Sequence, residues 1–108
     1  MEQALFVYMT AGSAEEARRI ARALVEERLA ACVNLVDGME SVYRWQGAVE
    51  TARETVMIAK TRADRFEALR DRVRALHSYD TPCIVALPVG RGDAPYLDWI
   101  AVESAPVA

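Results

Sequence analysis

The chain has 108 residues and a mass of 12.0 kDa, with 13 basic and 16 acidic side chains and a formal charge of −3. This length predicts a single domain over residues 1–108 and leaves no room for a second one of ordinary size. With 53% hydrophobic and 27% charged residues, the composition favours a packed core and argues against intrinsic disorder. The acidic balance argues against nucleic acid as a partner.

Apolar runs in the sequence are short. The longest, residues 4–9 and 83–87, fall far below the ~20 residues needed to cross a bilayer, so no membrane association is expected. The N-terminus lacks the basic and apolar regions of a secretory signal, and the two cysteines, Cys32 and Cys83, are too few for a disulfide framework. We therefore expect a cytoplasmic protein with reduced cysteines.

The first part of the chain predicts a strand followed by a helix. Residues 5–9 form a continuous apolar run that ends at Gly12, which is typical of a central strand covered on both faces. Ser13 stands three residues before Glu16, a capping pattern that marks the start of a helix over residues 14–28. The apolar stripe of that helix has the expected spacing and comprises Ala17, Ile20, Ala21, Leu24 and Val25.

The middle of the chain predicts a long β-hairpin. Residues 32–45 are rich in strand-forming side chains, and Asp37-Gly38 interrupts their alternation as a β-bulge would. Gln46-Gly47 supplies the turn, and residues 49–61 alternate as a second strand antiparallel to the first. Both strands exceed the ~5–6 residues usual in small domains, so the hairpin should project past the sheet.

The last third of the chain predicts a helix, a strand and one undecided segment. Thr61 and Asp64 provide a helix start signal, and the helix should end near His77 because Pro82 follows. Its buried stripe comprises Phe66, Leu69, Val73 and Leu76. Residues 83–87 form a fourth apolar strand, whereas residues 96–102 fit a short helix or a strand equally well.

The element order β-α-β-β-α-β predicts an α+β, ferredoxin-like sandwich. In this fold a four-stranded antiparallel sheet carries two helices on one face, here with a short C-terminal segment added. We expect Met57, Val36 and Val42 on the other face, which then needs cover. A sheet with an uncovered apolar face and long edge strands favours self-association, so the sequence predicts an oligomer.

Catalytic motifs are absent from the sequence, including the glycine-rich nucleotide loops, H-E-x-x-H and G-x-S-x-G. The single histidine, His77, has no neighbour that suggests a nucleophile, and we expect no enzymatic activity. Two interpretations of His77 stay open. Either its ring lies at a helix C-terminus and bonds a backbone carbonyl, or it ligates a metal with Cys83, Cys32, Asp80 or a residue of a neighbouring subunit brought close.

Aromatic residues lie at the end of the first hairpin strand, after the second predicted helix and near the C-terminus. Together with the only lysine they are candidates for lining a cleft: Tyr43, Trp45, Tyr79, Tyr96, Trp99 and Lys60. Aromatic walls with a few charges are typical of small-molecule pockets and equally of subunit interfaces. Both interpretations apply if the cleft lies between subunits.

Several segments, taken in order, resemble the CutA divalent-cation tolerance family. They are residues 30–34 (AACVN), 41–47 (SVYRWQG), 60–61 (KT), 77–82 (HSYDTP) and 96–100 (YLDWI). The resemblance extends over residues 5–100. It implies a ferredoxin-like homotrimer, similar to the PII signalling proteins, in which the long hairpin pairs with neighbouring subunits.

The resemblance also implies a metal site. The family is linked by name to tolerance of copper and other divalent metals, and the resemblance implies that its metal-binding members use a sulfur ligand near the end of the first strand and histidines that precede a tyrosine. His77 matches the histidine that opens this motif, Met9 stands at the sulfur position, and Cys83 follows Pro82 where the family usually has Glu. The metal candidates are therefore His77, Cys83 and Met9, for weak binding of copper or a similar divalent cation.

Three functions follow as hypotheses. The first is a cytoplasmic, non-enzymatic homotrimer that acts in tolerance of divalent metal ions. The second is a PII-like sensor that binds a small anionic ligand or a nucleotide in an intersubunit cleft formed by Tyr43, Trp45, Lys60, Tyr79 and Trp99. The third is a trimeric scaffold for a protein partner.

Overall fold

The structure, a computed structural model, describes residues 2–107, so the predicted domain limits at residues 1 and 108 lie outside the described residues. Its elements are β1 (Ala4–Ala11), α1 (Ala14–Glu26), β2 (Cys32–Trp45), β3 (Ala48–Arg62), a 3-10 turn (Ala63–Arg65), α2 (Phe66–Leu76), β4 (Ile84–Pro88) and α3 (Ala94–Glu103). The four strands form one antiparallel sheet in the order β2-β3-β1-β4. The α+β, ferredoxin-like prediction is confirmed.

Helices α1 and α2 pack together on one face of the sheet. Alternate residues of β1 point to this face, and fully buried side chains of both helices meet them there. The core consists mainly of Val7, Met9, Ile20, Leu24, Met57, Leu69 and Val73. Burial of these side chains, each contributing about 1.5–3 kcal/mol, holds the helices against the sheet.

Helix α3 lies on the opposite face and resolves the undecided C-terminal segment. Pro95 occupies its first turn, where a missing N–H costs nothing, and Ile100 packs against Ala4 and Ala31. Its contacts are confined to one end of the sheet. Among residues 2–107, no helix has the length and apolar character required for a membrane span.

The face opposite α1 and α2 remains largely apolar and open. Val36, Val85 and Leu87 are 56%, 50% and 55% exposed. In the strand register Val85 pairs with Tyr8 and Leu87 with Phe6, so these side chains share one face of the sheet. The expectation of an uncovered apolar face is therefore met, although by a partly different set of side chains.

Two of the three residues expected on that face lie on the other one. Met57 pairs with Met9 in the register and is fully buried beneath the helices. Val42 pairs with Thr51, which has the same parity as Met57 along β3. For Val42 the reason is that an extra residue in β2 between Val36 and Met39 reverses the parity of the β2 residues that follow. Met57 pairs with Leu35, the neighbour of Val36, and simple alternation therefore places it on the opposite face from Val36.

Two local predictions about the helices were wrong. Val25, whose spacing suggested the buried stripe of α1, is 41% exposed. The start signal for α2 does not form a cap, because the Thr61 hydroxyl donates to the Leu29 carbonyl at 2.7 Å and Asp64 binds Arg62. Thr61 therefore bonds a tertiary partner and Asp64 a sequence neighbour, and neither caps α2.

The long hairpin is confirmed, with a two-residue turn at its tip. Gln46 and Gly47 have φ of 49° and 82°, the left-handed pair that matches the twist of the flanking strands. Strand β1 pairs with β3 only as far as Thr55, so residues 48–54 and their partners in β2 extend beyond the sheet as a ribbon.

Candidate functional site

A cavity of about 390 Å³ lies where the β2–β3 ribbon leaves the sheet. It is bounded by the end of β1, the ribbon and the loop between α2 and β4. Its lining residues are Thr10, Tyr43, Trp45, Glu54, Tyr79, Asp80, Thr81 and Cys83. The size is within the range of small-molecule sites.

The bulge in β2 brings the two ribbon aromatics into this cavity. After the bulge, Tyr43 pairs with Glu50 and Trp45 pairs with Ala48, so both have the parity of Glu54. In the register that precedes the bulge they would have been on the other face. Gly38, at φ 81°, supplies the backbone conformation that the bulge requires.

Tyr79 is fixed at the base of the cavity by its hydroxyl group. The hydroxyl donates to Glu54 Oε2 at 3.0 Å, and Glu54 Oε1 accepts a second hydrogen bond from Ser41 Oγ at 2.6 Å. Burial raises the pKa of Tyr79, and the hydrogen bond and negative charge of Glu54 add to the effect, to about 12. The phenol is therefore neutral and acts as a donor. The ring also lies against Gly12, where an added Cβ would come within 3.3 Å of the Tyr79 oxygen.

His77 has a structural position beneath this loop. Its side chain is fully buried, and Nε2 lies 2.7 Å from the Thr10 carbonyl oxygen. Since a carbonyl can only accept, Nε2 carries the proton, and Nδ1 accepts from the Tyr79 N–H at 3.1 Å. Both ring nitrogens are thus used by the backbone, as in the first of the two interpretations of this residue.

Sequence reasoning missed Glu16, which anchors the same loop. Its carboxylate accepts from the Ser78 N–H at 2.7 Å, from Ser78 Oγ at 3.1 Å and from the Gly12 N–H at 3.3 Å. Ser13 forms its half of the capping pattern by accepting from the Glu16 N–H at 3.1 Å. The capping pattern therefore included Glu16, but it did not predict that the Glu16 carboxylate binds Ser78 in the loop between α2 and β4.

The charge of Glu16 is stabilised in this position. Burial by itself would raise the pKa of its carboxyl group, but the hydrogen bonds from Ser78, the charge of the neighbouring His77 ring when protonated, and the hydrogen bond from Gly12 together outweigh burial, and the pKa lies below its ordinary value. The side chain is therefore an anion that holds the loop, and through the loop positions Tyr79.

The three predicted metal ligands do not form a ready donor set within the chain. Met9 is fully buried in the core, and His77 has no free nitrogen. Cys83 lines the cavity, but burial raises the pKa of its thiol and the charge of Glu54 raises it further, which disfavours the thiolate that metals bind. Within residues 2–107, no three His, Cys, Asp or Glu side chains are grouped closely enough to hold a metal ion.

The residues predicted to line one cleft lie in two separate places in the structure. Tyr43, Trp45 and Tyr79 line the cavity, whereas Lys60 lies elsewhere, with Nζ donating to the Tyr96 hydroxyl at 2.9 Å. Trp99 lies beside Lys60 and Tyr96 rather than in the cavity, since its ring centroid is 5.5 Å from that of Tyr96.

The cavity has acidic rather than basic character. Glu54 and Asp80 are among its lining residues, and none of the described residues that line it is an Arg or Lys. Because carboxylates repel anions at short range, this charge disfavours binding of an anionic ligand in the cavity, which the PII-like sensor hypothesis with Lys60 requires.

Comparisons with known proteins identify the family. The model of the CutA1 divalent ion tolerance protein family matches residues 5–103. The divalent-cation tolerance protein CutA of Archaeoglobus fulgidus is 53% identical over 95 residues, which cover 88% of this chain and 92% of that protein.

Solved structures of similar proteins have the same fold as this chain. The divalent cation tolerance protein of Thermus thermophilus superposes with a TM-score of 0.93 at 50% identity, covering 94% of this chain and 99% of that one. A structure from Archaeoglobus fulgidus, described as a periplasmic divalent cation tolerance protein, gives 0.91 at 50% identity, with 94% and 98% covered. The chain belongs to the CutA1 divalent ion tolerance protein family.

Proposed function

We propose that this protein acts in tolerance of divalent metal ions, as a homotrimer. The observation that carries the proposal is the continuous match to the family over residues 5–103, with the fold superposing on a divalent cation tolerance protein at a TM-score of 0.93. The ordered motifs around residues 30–47 and 77–82 support the same assignment.

Self-association is supported by the open face and by the strand edges. Strands β2 and β4 are the two edges of the sheet, and the ribbon projects with unpaired backbone groups on its outer side. Exposed Val36, Val85 and Leu87 lie on the face away from α1 and α2. Burial of such a face and pairing of such edges both favour association, and the family resemblance indicates three copies.

Sedimentation at micromolar concentration tests the assembly, with a matched pair of substitutions. Val36→Asp places a charge on the open face and should shift the trimer toward smaller species. Val25→Asp makes the same change on the outer surface of α1 and should leave the trimer intact. A compact monomer for the unmodified chain, or equal behaviour of the two variants, would contradict the proposed interface.

Growth of a bacterial host that lacks its own CutA protein tests the function. Expression of this chain should restore growth at raised copper, zinc or cobalt, compared with an empty vector. The Val25→Asp variant serves as the folded control. Unchanged metal sensitivity despite soluble expression would contradict the proposed role.

A weak metal site formed by His77, Cys83 and Met9 stays a prediction. Calorimetric titration of the reduced protein with Cu(I), Cu(II) and Zn(II), beside His77→Ala and Cys83→Ser, tests it. Saturable uptake that both substitutions weaken would support the site. Uptake indifferent to both changes would place metal binding at other residues, and absence of saturable uptake would contradict direct binding.

We also propose that the protein is not an enzyme and works in the cytoplasm. The first proposal is supported by the use of both His77 nitrogens for the backbone, which leaves that ring unable to act as a general base. The second is supported by the free thiols of Cys32 and Cys83, which suit a reducing compartment. Cell fractionation decides between the cytoplasm and an extracytoplasmic location.

A further inference from the structure

The aromatic cavity has features beyond the candidate metal ligands His77, Cys83 and Met9. Three aromatic side chains, Tyr43, Trp45 and Tyr79, come to it from two separate parts of the chain. Each is partly exposed in the single chain, and Tyr43, Trp45 and Glu54 lie on the same face as Val36, so the proposed trimer places this cavity at a boundary between subunits. The faces of such rings carry negative electrostatic potential, which attracts cations.

Glu54 adds a fixed negative charge beside these rings. Its two oxygens accept hydrogen bonds from Ser41 Oγ at 2.6 Å and from the Tyr79 hydroxyl at 3.0 Å. Both donors are neutral, so they orient the carboxylate without cancelling its charge. Asp80 supplies a second carboxylate in the lining.

Two neighbouring groups respond to this negative field. Burial and the hydrogen bond and charge of Glu54 together raise the pKa of Tyr79 to about 12. Burial, followed by the charge of Glu54, also raises the pKa of the Cys83 thiol. Both shifts agree with a site that disfavours additional negative charge.

We propose that the cavity binds a small organic cation, an ammonium or guanidinium compound whose apolar surface contacts the rings while its charge lies near Glu54. The volume of about 390 Å³ accommodates such a ligand. A bare divalent ion would need several closely placed oxygen ligands, and no group of three His, Cys, Asp or Glu side chains occurs among residues 2–107. An anion would be repelled by both carboxylates.

Calorimetry on the assembled protein tests this proposal without any metal, so its result is independent of the tolerance experiments. The probes are tetramethylammonium, the uncharged tert-butanol of similar shape, and acetate. Saturable binding of tetramethylammonium, with neither of the other two bound, is the expected result. Absence of tetramethylammonium binding, or equal binding of tert-butanol, would overturn the proposal.

A matched set of variants assigns the binding to the cavity. Glu54→Gln keeps the shape and an acceptor for Ser41 but removes the charge, and should weaken tetramethylammonium binding about tenfold. Trp45→Leu should weaken it by a similar factor. Glu40→Gln removes the same charge from the same ribbon, outside the lining residues, and should have no effect. Equal losses in Glu54→Gln and Glu40→Gln would reduce the effect to the net charge of the protein and refute the assigned site.

An arginine side chain from a second copy of this chain is the alternative occupant of the cavity, because its guanidinium group is also an organic cation. If such a side chain fills the cavity in the assembly, tetramethylammonium will not bind to the unmodified trimer, and the proposal of a free ligand fails. Binding to the trimer excludes this occupant.

Discussion

Glu16→Gln is the substitution that most directly tests how the loop below the cavity is held. The change preserves the size of the side chain but replaces one carboxylate oxygen with an NH₂ group. If that group faces Ser78, the Ser78 N–H loses its acceptor; if it faces Gly12, the Gly12 N–H loses its acceptor. Either orientation leaves one backbone donor unpaired, whereas the Ser78 hydroxyl can rotate to accept.

The expected loss follows from burial of the site. Glu16 is only 7% exposed and its hydrogen bonds to Gly12 and Ser78 are partly buried, so water replaces the missing acceptor only incompletely. A buried donor without a partner costs about 1–3 kcal/mol, and the bonds that remain also lose the assistance of a charge. We therefore expect the free energy of unfolding to fall by about 1–3 kcal/mol at neutral pH.

Chemical denaturation at a fixed protein concentration measures this loss, and Glu15→Gln is the control. Glu15 is in the same first turn of α1 but exposed, so its substitution makes the same change in charge and in the interaction with the helix dipole. If the two variants differ by less than about 0.5 kcal/mol, the carboxylate does not anchor the loop.

The pH dependence gives a second measurement on the same pair. Because the pKa of Glu16 lies below its ordinary value, its contribution to stability is complete above the unfolded-state pKa, about 4.3, and disappears as pH falls through the folded-state pKa. The stability advantage of the unmodified protein over Glu16→Gln should therefore shrink below about pH 4.3. An advantage that persists unchanged in acid would contradict the ionised state.

Three further substitutions test local structure by thermal or chemical unfolding. Gly47→Ala should lower the free energy of unfolding by about 1–2 kcal/mol, because φ is 82° at this position. Gly90→Ala is the control: an added Cβ meets no atom within 4 Å at either position, but Gly90 has no positive φ, so its substitution should not destabilise. Equal effects of the two substitutions would refute backbone strain at the turn. Ser13→Ala should cost about 1 kcal/mol through loss of the cap, and Ser13→Asp should restore it; a neutral Ser13→Ala would mean that the cap contributes nothing. Met57→Ala should cost about 2–5 kcal/mol, and Met57→Leu less than about 1.5 kcal/mol; a small loss in the alanine variant would place Met57 outside the core.

Local signals in the sequence predicted most of the elements and the folding of the hairpin. Asp37-Gly38 and Gln46-Gly47 are backbone features, and the conformations they favour depend on few neighbours, so the bulge and the turn appear where expected. The direction of the ribbon side chains was not predictable in the same way. Inserting one residue reverses parity, and the face that Val42 takes depends on the register with β3.

The candidate site shows the same division. His77, Tyr79 and the ribbon aromatics attracted attention through their residue types, which the sequence displays directly. Their grouping with Glu54, and the separation of Lys60 from them, depended on how three distant segments meet. The sequence by itself determined the order of elements from β1 to β4 and the family, because periodicity, turn residues and ordered motifs are properties of the chain, but it left residues 96–102 open between helix and strand. Only the tertiary structure decided which face Met57 occupies and which partners Glu16 binds, because both depend on contacts between residues far apart in the chain.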